Sequence, residues 1–296
     1  MRSVTDELIN DFRKKGSAKI EDLSYHLAVD VIGDILGLTN SERFGRARRI
    51  EKTLRANHNK THNPIKSLIF NLRRAANAGA FYFRDIRPAV EARKRNPQND
   101  AISFFIEEGY STKAILIECL TYGVAGMMTT REFIVMASWY LFEDEALRDA
   151  FLAGDNRQQL AILMEIVRLE PVAAMIHRKV EEPVEEVDGT QHPSGYTYGI
   201  DIRSANVDSN FVGECPFAVD PQRAKTQKDT GRFLSFSDGK HSCPGWLVAL
   251  HETRIFLEQL FKVPGLKLVR EPDISWNNQL KGYELRNAQI TCEPLK

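Results

Sequence analysis

One segment, TKAILIECLTYGVAGMMTTREFIVMASWYLF over residues 112–142, constrains the fold of this chain more than any other. It is rich in apolar residues at helical spacing and contains no proline, which predicts one long helix that packs among other helices. Glycines lie at its centre, where they cost helix stability and mark a packing or functional site. We therefore expect this segment to be the central helix of a helical bundle.

Residues 1–170 show one helical pattern after another, and a proline at position 88 predicts a break or kink in the pattern around it. After residue 171 the sequence becomes rich in turns, with strand-like fragments such as YTYGIDI. A final amphipathic helix follows, and after it come further strand-like fragments such as LKLV and AQITCEP. We expect a mainly α fold with a small β-rich part. Residues 1–296 would form one domain, with the helical bundle in 1–170 and the β fragments, a cysteine loop and the last helix in 171–296.

The charge balance excludes several classes of partner. Lysine plus arginine and aspartate plus glutamate both number 40, so nothing indicates binding to nucleic acid or to an acidic membrane surface. No stretch is long and apolar enough for a membrane span, and the charged amphipathic start lacks the apolar region of a signal peptide. Four scattered cysteines fit a reducing cytoplasm, and three of them (Cys119, Cys215 and Cys292) are expected to be small buried hydrophobes.

The fourth cysteine lies in FSDGKHSCPG, from Phe236 to Gly245. Pro244 is placed as the first residue of the last helix, so Cys243 would lie near its N-cap, where backbone N–H groups and the helix dipole favour a thiolate. A thiolate in this position is either a nucleophile or a ligand for a soft metal.

The spacing F-x-x-G-x-H-x-C-x-G, formed by Phe236, Gly239, His241, Cys243 and Gly245, resembles the haem-ligand loop of the cytochrome P450 family. The resemblance implies haem b (iron protoporphyrin IX) as cofactor and Cys243 as the thiolate ligand of its iron. It also implies that Phe236 packs near the thiolate and that His241 contacts a haem propionate. A thiolate ligand favours O–O bond cleavage at the iron.

Further marks of the family follow in order. Glu165 and Arg168 form an E-x-x-R, and Arg223 in VDPQRAK would join them in a structural ion-pair core behind the haem. Arg178 would contact a propionate. The segment before Arg178 would line the substrate pocket, through Val172, Ala173, Ala174 and Met175.

The motif AGMMTT in the long helix resembles the family's oxygen-binding groove, with Ala125 and Gly126 as the small-residue pair and Thr129 as the hydroxyl residue. Close helix packing is the alternative role for these small residues. The residue before the threonine is normally acidic in the family, but here it is Met128, which carries no proton.

The chain also begins late, because its first helices resemble the family from about helix D onward. We therefore expect a P450-like fold that lacks its N-terminal part. The apolar faces that this absence would expose suggest a partner protein or a second copy of the chain as cover.

The resemblance favours a monooxygenase that inserts oxygen from O₂ into a small apolar or natural-product substrate. Its electrons would come from a ferredoxin, with its reductase, or from a flavoprotein docking near Lys240 and Arg232 on the Cys243 side. Met128 leaves open a haem enzyme that uses peroxide or catalyses a non-oxidative step. The late start leaves open a non-catalytic partner protein or a gene fragment.

Overall fold

A computed structural model of the protein describes residues 1–40, 43–55, 64–223 and 233–295. Helices dominate the first half of the chain. The first eight helices are α1 (Arg2–Lys15), α2 (Ile20–Leu36), α3 (Arg43–Arg55), α4 (Pro64–Phe81), α5 (Arg87–Arg95), α6 (Ala101–Glu107), α7 (Thr112–Gly123) and α8 (Thr129–Glu143). Two π-helical turns, Tyr82–Ile86 and Val124–Met128, connect α4 to α5 and α7 to α8. The predicted long helix therefore exists, with a π-helical turn at its centre.

The second half contains short strands and further helices. The helices are α9 (Glu145–Ala153), α10 (Asn156–Leu169), α11 (Ile202–Ala205), α12 (Ser209–Val212) and α13 (Trp246–Leu260). The strands are β1 (Ser17–Lys19) near the start of the chain, and then β2 (Met175–Lys179), β3 (Val184–Glu185), β4 (Gln191–His192), β5 (Thr197–Asp201), β6 (Lys267–Arg270), β7 (Asp273–Asn277), β8 (Gly282–Arg286) and β9 (Gln289–Thr291). This confirms the predicted class, mainly helical with small sheets.

Two compact units divide the chain. The first comprises residues 1–131, 262–266 and 290–296, and the second comprises 132–261 and 267–289. The boundary falls within α8. It does not fall near residue 170, where the sequence changes from helical patterns to turns and strand-like fragments. The expectation of one domain stays a prediction.

The first unit is built around residues of α2 to α7, such as Val29, Ile50, Phe81 and Phe105, which form one buried apolar cluster. Cys119 belongs to this cluster, and burial raises the pKa of its thiol to about 12. Strand β9 lies beside β1, and the N–H of Cys292 donates to the carbonyl of Gly16 at 3.0 Å.

The second unit contains three antiparallel strand pairs and the helices α10 and α13. Strand β2 pairs with β5, β3 with β4, and β7 with β8. In the first pair Met175 lies opposite Asp201 and Lys179 opposite Thr197. Helix α13 packs on α10, where Arg254 Nη1 donates to Gln159 Oε1 at 3.1 Å.

Three local expectations were wrong, one of which concerns Cys292, which is half-buried and not buried. Helix α13 begins at Trp246 with Gly245 as its N-cap, two residues beyond the predicted start at Pro244, because Pro244 and Gly245 form a turn first. Cys215 is exposed and not buried, and its φ of 54° places it in a tight turn that closes with a hydrogen bond from Ala218 N–H to its carbonyl. Among the described residues, no helix combines the length and apolarity needed to cross a lipid bilayer.

Candidate functional site

The loop that carries Cys243 is a closed turn with a defined backbone. The N–H of Cys243 donates to the carbonyl of Phe236 at 2.8 Å, which brings the two ends of the motif together. Between them, Ser237 and Gly239 adopt left-handed backbone conformations, with φ of 57° and 61°. A 3₁₀ turn over Gly239–His241 then leads to the cysteine. The backbone therefore sets where the sulfur points before any ligand binds.

Cys243 is half-buried, and a Cβ at Gly245 would lie 4.0 Å from its Sγ, in ordinary van der Waals contact. His241 and Lys240 are exposed on the 3₁₀ turn. The ring of Phe236 lies 6.4 Å from that of Trp246, at the start of α13. The two aromatic residues that flank Cys243 in the sequence therefore lie near each other.

Asn206 holds the first arm of this loop against α10. Its Oδ1 accepts the N–H of Leu234 at 2.9 Å, and its Nδ2 donates to Ser235 Oγ at 2.8 Å and to the Arg168 carbonyl at 3.1 Å. Ser235 Oγ in turn donates to the Val167 carbonyl at 2.7 Å. Asn206 is almost fully buried, and its hydrogen bond to the Arg168 carbonyl is buried as well, whereas the bonds to Leu234 and Ser235 are partly buried.

The structure brings Glu165, Arg168 and Arg223 together. Arg168 donates to the Glu165 carboxylate through Nε and Nη2, both at 2.9 Å, and Arg223 Nε donates to the same carboxylate at 3.2 Å. Arg168 also donates to the carbonyls of Pro216 and Ala218. Because the two arginines share one buried carboxylate and direct further donors to loop carbonyls, the cluster fixes the loops around it.

The segment predicted to line the substrate pocket follows α10. Val172 is buried, while Ala173, Ala174 and Met175 are half-buried. A Cβ at Gly282 would lie 1.7 Å from the Val172 carbonyl oxygen, so only glycine allows the β7–β8 hairpin to approach this segment so closely. The Met175 N–H donates to the Lys281 carbonyl at 3.2 Å.

Arg178, predicted to contact a propionate, lies on β2 and reaches the cysteine loop. Its Nη2 donates to Ser237 Oγ at 3.0 Å, and its Nη1 donates to the His177 carbonyl at 3.0 Å. The guanidinium is half-buried. It is a permanent cation whose donors are only partly used, which suits a carboxylate ligand.

The oxygen-groove motif lies in the first unit and is described by itself. Thr129 Oγ1 donates to the Ala125 carbonyl at 2.5 Å, and Ala125 is exposed. A Cβ at Gly126 would lie 2.6 Å from Ile32 Cδ1 on α2, so this glycine permits close helix packing. Met128 packs against the apolar cluster of the first unit. The π-helical turn is the kind of feature that accompanies functional positions in helices.

Comparisons with known proteins show which proteins this chain is similar to. The family model described as "Cytochrome P450" matches residues 160–275. Cytochrome P450(BM-1) of Priestia megaterium is 24% identical over 87% of this chain and 62% of its own length. Cyclomarin C epoxidase CymV of Salinispora arenicola is 26% identical over 88% of this chain and 64% of its own length. The chain therefore spans less than two thirds of these two curated relatives.

Solved structures share the fold. The crystal structure of CalO2 superposes with a TM-score of 0.81 at 20% identity, covering 99% of this chain and 72% of that one. P450BioI, solved in complex with a fatty-acid-ligated acyl carrier protein, gives a TM-score of 0.77 at 21% identity and covers 99% of this chain and 73% of that one. The fold is therefore that of the cytochrome P450 structures. The second half of the chain, which contains the cysteine loop, is similar to the cytochrome P450 family, and bacterial members of that family are similar over most of the chain.

Members of this family bind haem b, and the residues of the loop fit that group. In a haem-thiolate site the protein supplies one thiolate ligand to the iron. Cys243, a half-buried free cysteine in the closed loop, would supply that thiolate. Arg178 and His241 provide donors near the loop that suit the haem carboxylates. The roles of these residues stay predictions.

Sequence reasoning overlooked Asn206, Ser235 and Gly282. The stretch ANVD resembles a family segment, but the sequence gives no sign that its asparagine reaches three partners. Gly282 follows a lysine in a turn, and nothing in that pattern indicates contact with residue 172.

Proposed function

We propose that this chain functions as a haem-thiolate monooxygenase that inserts oxygen from O₂ into a small apolar or natural-product substrate. The observation that carries the proposal is the closed Cys243 loop, with its Phe236–Cys243 hydrogen bond and its anchor on α10. Relatives named as an epoxidase and as a steroid C26-monooxygenase support the reaction class.

Each residue of the loop then has a defined task. When bound, haem supplies the oxygen-activating chemistry, and a thiolate ligand promotes it. Cys243 would hold the iron through its thiolate. Arg178, which lies against the loop through Ser237, and His241 would bind the cofactor's carboxylates and so orient it.

The segment 172–175 would exclude water and select apolar substrates. Its side chains are apolar, and they are held in place by the β7–β8 hairpin through Gly282 and the Met175–Lys281 hydrogen bond. An apolar wall with few polar groups is typical of small-molecule sites.

The Thr129 hydroxyl has one proton, which it donates to the Ala125 carbonyl. In this state Thr129 Oγ1 can accept a hydrogen bond from a ligand. It can donate one to a ligand only after its hydrogen bond to the Ala125 carbonyl breaks. Met128 offers no second proton donor at the neighbouring position. Proton delivery on this side would therefore depend on Thr129, on water or on the substrate.

The electron donor would be a ferredoxin or a flavoprotein that docks on the cysteine-loop side. Lys240 is exposed there and offers positive charge to an acidic partner. Arg232, the other cation named for this surface, lies outside the described residues. A protein partner or a second copy covering the first unit also stays a prediction. Its exposed apolar residues include Leu68, Ile69, Leu72 and Phe83.

Isotope incorporation tests the monooxygenase reaction. The haem-loaded protein, a ferredoxin and its reductase are supplied with heavy-isotope dioxygen and a panel of apolar substrates. We expect one heavy oxygen atom in the product for each turnover. Product oxygen that comes from water, or no product with any substrate while peroxide also fails, would contradict the proposal.

Met128 supports a second candidate, a haem enzyme that works with peroxide or without oxidation. In that case peroxide sustains turnover, whereas O₂ with a redox partner does not. Met128→Glu restores a proton-carrying side chain, and Met128→Leu is the matched apolar control. The measured quantity is the product formed per O₂ consumed. A rise in Met128→Glu alone supports the first candidate, and no rise in either variant supports the second.

A further inference from the structure

We propose that Asn206 is the positioning residue of the Cys243 loop, acting from outside the cysteine motif. The contacts that support this inference are all within the protein and involve no cofactor. Only its consequence for haem ligation rests on the proposed function. Within the part of the chain that the structure describes, Asn206 makes no hydrogen bond to Cys243 or Phe236, and its influence passes through Leu234 and Ser235, just before the motif.

The first step is the anchor itself. One buried side chain satisfies three main-chain or hydroxyl partners, namely Leu234 N–H, Ser235 Oγ and the Arg168 carbonyl. A further hydrogen bond joins the same two residues, since Arg168 Nη1 donates to the Asn206 carbonyl at 3.0 Å. Only an amide side chain can accept from one partner while donating to two others here, because it has both an acceptor oxygen and two N–H groups.

The second step leads from the anchor to the sulfur. Ser235 is bonded to Phe236, and the Phe236 carbonyl accepts the Cys243 N–H at 2.8 Å. Ser235 is also tied to α10 through the Val167 carbonyl. The position of the Cys243 backbone is thus set by a carbonyl that lies one residue beyond the anchored serine.

The third step concerns what α10 provides. Val167 and Arg168 lie in the last turn of α10, where main-chain carbonyls lack partners within the helix. Asn206 and Ser235 satisfy two of these carbonyls and use them as the fixed base of the loop. The buried ion pair between Arg168 and Glu165 keeps that base rigid.

Hydrogen exchange of the 296-residue chain tests the proposal without any need for haem. Asn206→Leu removes all three side-chain hydrogen bonds at similar volume, and Ser235→Ala removes the link to Val167. We expect amide exchange at Cys243 to accelerate on the order of tenfold in Asn206→Leu, as loss of buried hydrogen bonds of ordinary strength implies. Asn206→Asp, which keeps the acceptor for Leu234, should show a smaller acceleration.

Gln159→Leu is the matched control. Gln159 is a buried amide on the same helix, and it donates to the Phe151 carbonyl at 2.9 Å and accepts from Arg254, away from the loop. Exchange at Cys243 that is unchanged in the Asn206 and Ser235 variants, or that accelerates equally in Gln159→Leu at the same loss of stability, would overturn the proposal. If Asn206→Leu does not fold, Ser235→Ala decides the question.

A spectrum separates this inference from the proposed function. In haem-loaded protein reduced under carbon monoxide, Asn206→Leu should raise the ratio of thiol-type to thiolate-type Soret absorbance on the order of tenfold over the native ratio. A native protein without the thiolate band sinks the proposed function, while the exchange result at Cys243 still decides the role of Asn206. A native band that Asn206→Leu leaves unchanged overturns the positioning role alone.

Discussion

Arg168 and Glu165 form a two-pronged ion pair inside the second unit. Both nitrogens of the fork lie 2.9 Å from the carboxylate oxygens, and the arginine side chain is fully buried. The same carboxylate also accepts the N–H of Asp220 at 3.0 Å. Every oxygen of Glu165 therefore has a partner, and the cost of burying its charge is offset by these contacts.

Replacing Arg168 should destabilise the protein strongly. Arg168→Leu leaves the buried Glu165 charge without its main partner, and we expect the free energy of unfolding to fall by about 3–5 kcal/mol. Urea denaturation followed by circular dichroism measures the change. Arg203→Leu is the control, because the Arg203–Glu170 pair is largely exposed on the arginine side and should contribute only about 0–1 kcal/mol. Equal losses in the two variants would contradict the structural role of Arg168.

Gly282 should tolerate no side chain. A Cβ there would overlap the Val172 carbonyl, so Gly282→Ala has to displace either the hairpin or the pocket segment. We expect a loss of about 1–3 kcal/mol in the free energy of unfolding, the usual cost of overpacking. Gly199→Ala is the matched control on β5, where the nearest atom, Met175 Sδ, would be 3.6 Å from the new Cβ. A Gly282→Ala protein as stable as Gly199→Ala would show that the close approach is absent.

Glu170 should make stability depend on pH. Burial raises the pKa of Glu170 above its usual 4.5, although the Arg203 guanidinium opposes this. Since the folded state then binds the proton more tightly than the unfolded state, this contribution is complete below pH 4.5 and is lost as the pH rises through the raised pKa. The stability difference between the native protein and Glu170→Gln should therefore shift against the native protein as the pH increases. A flat difference, or one of opposite sign, would be inconsistent with the burial of Glu170.

Several features could be predicted from the sequence because they depend on local patterns. Helical periodicity located the helix from residue 112, and the helical stretch ends at Glu143, one residue beyond the predicted 142. Periodicity did not reveal the π-helical turn over Val124–Met128, because one extra residue per turn barely changes the apolar pattern. The start of α13 was two residues off, because a proline fits a preceding turn as well as a first helical turn.

The contacts that organise the candidate site were beyond sequence reasoning because they join distant residues. Ser235 and Val167 are 68 positions apart, and Asn206 and Arg168 are 38 apart. A single sequence carries no signal for such pairs. The cysteine motif was recognisable because its spacing is set within ten residues, from Phe236 to Gly245.

The absorption spectrum of the reduced protein under carbon monoxide tests the central claim, that Cys243 is the thiolate ligand of haem iron. We expect haem-loaded native protein to show the thiolate-type Soret band. Cys243→Ala should abolish this band, and Cys215→Ala, which alters an exposed cysteine, should leave it intact. A haem-loaded native protein without the thiolate-type band, or a band that survives in Cys243→Ala, would contradict the account.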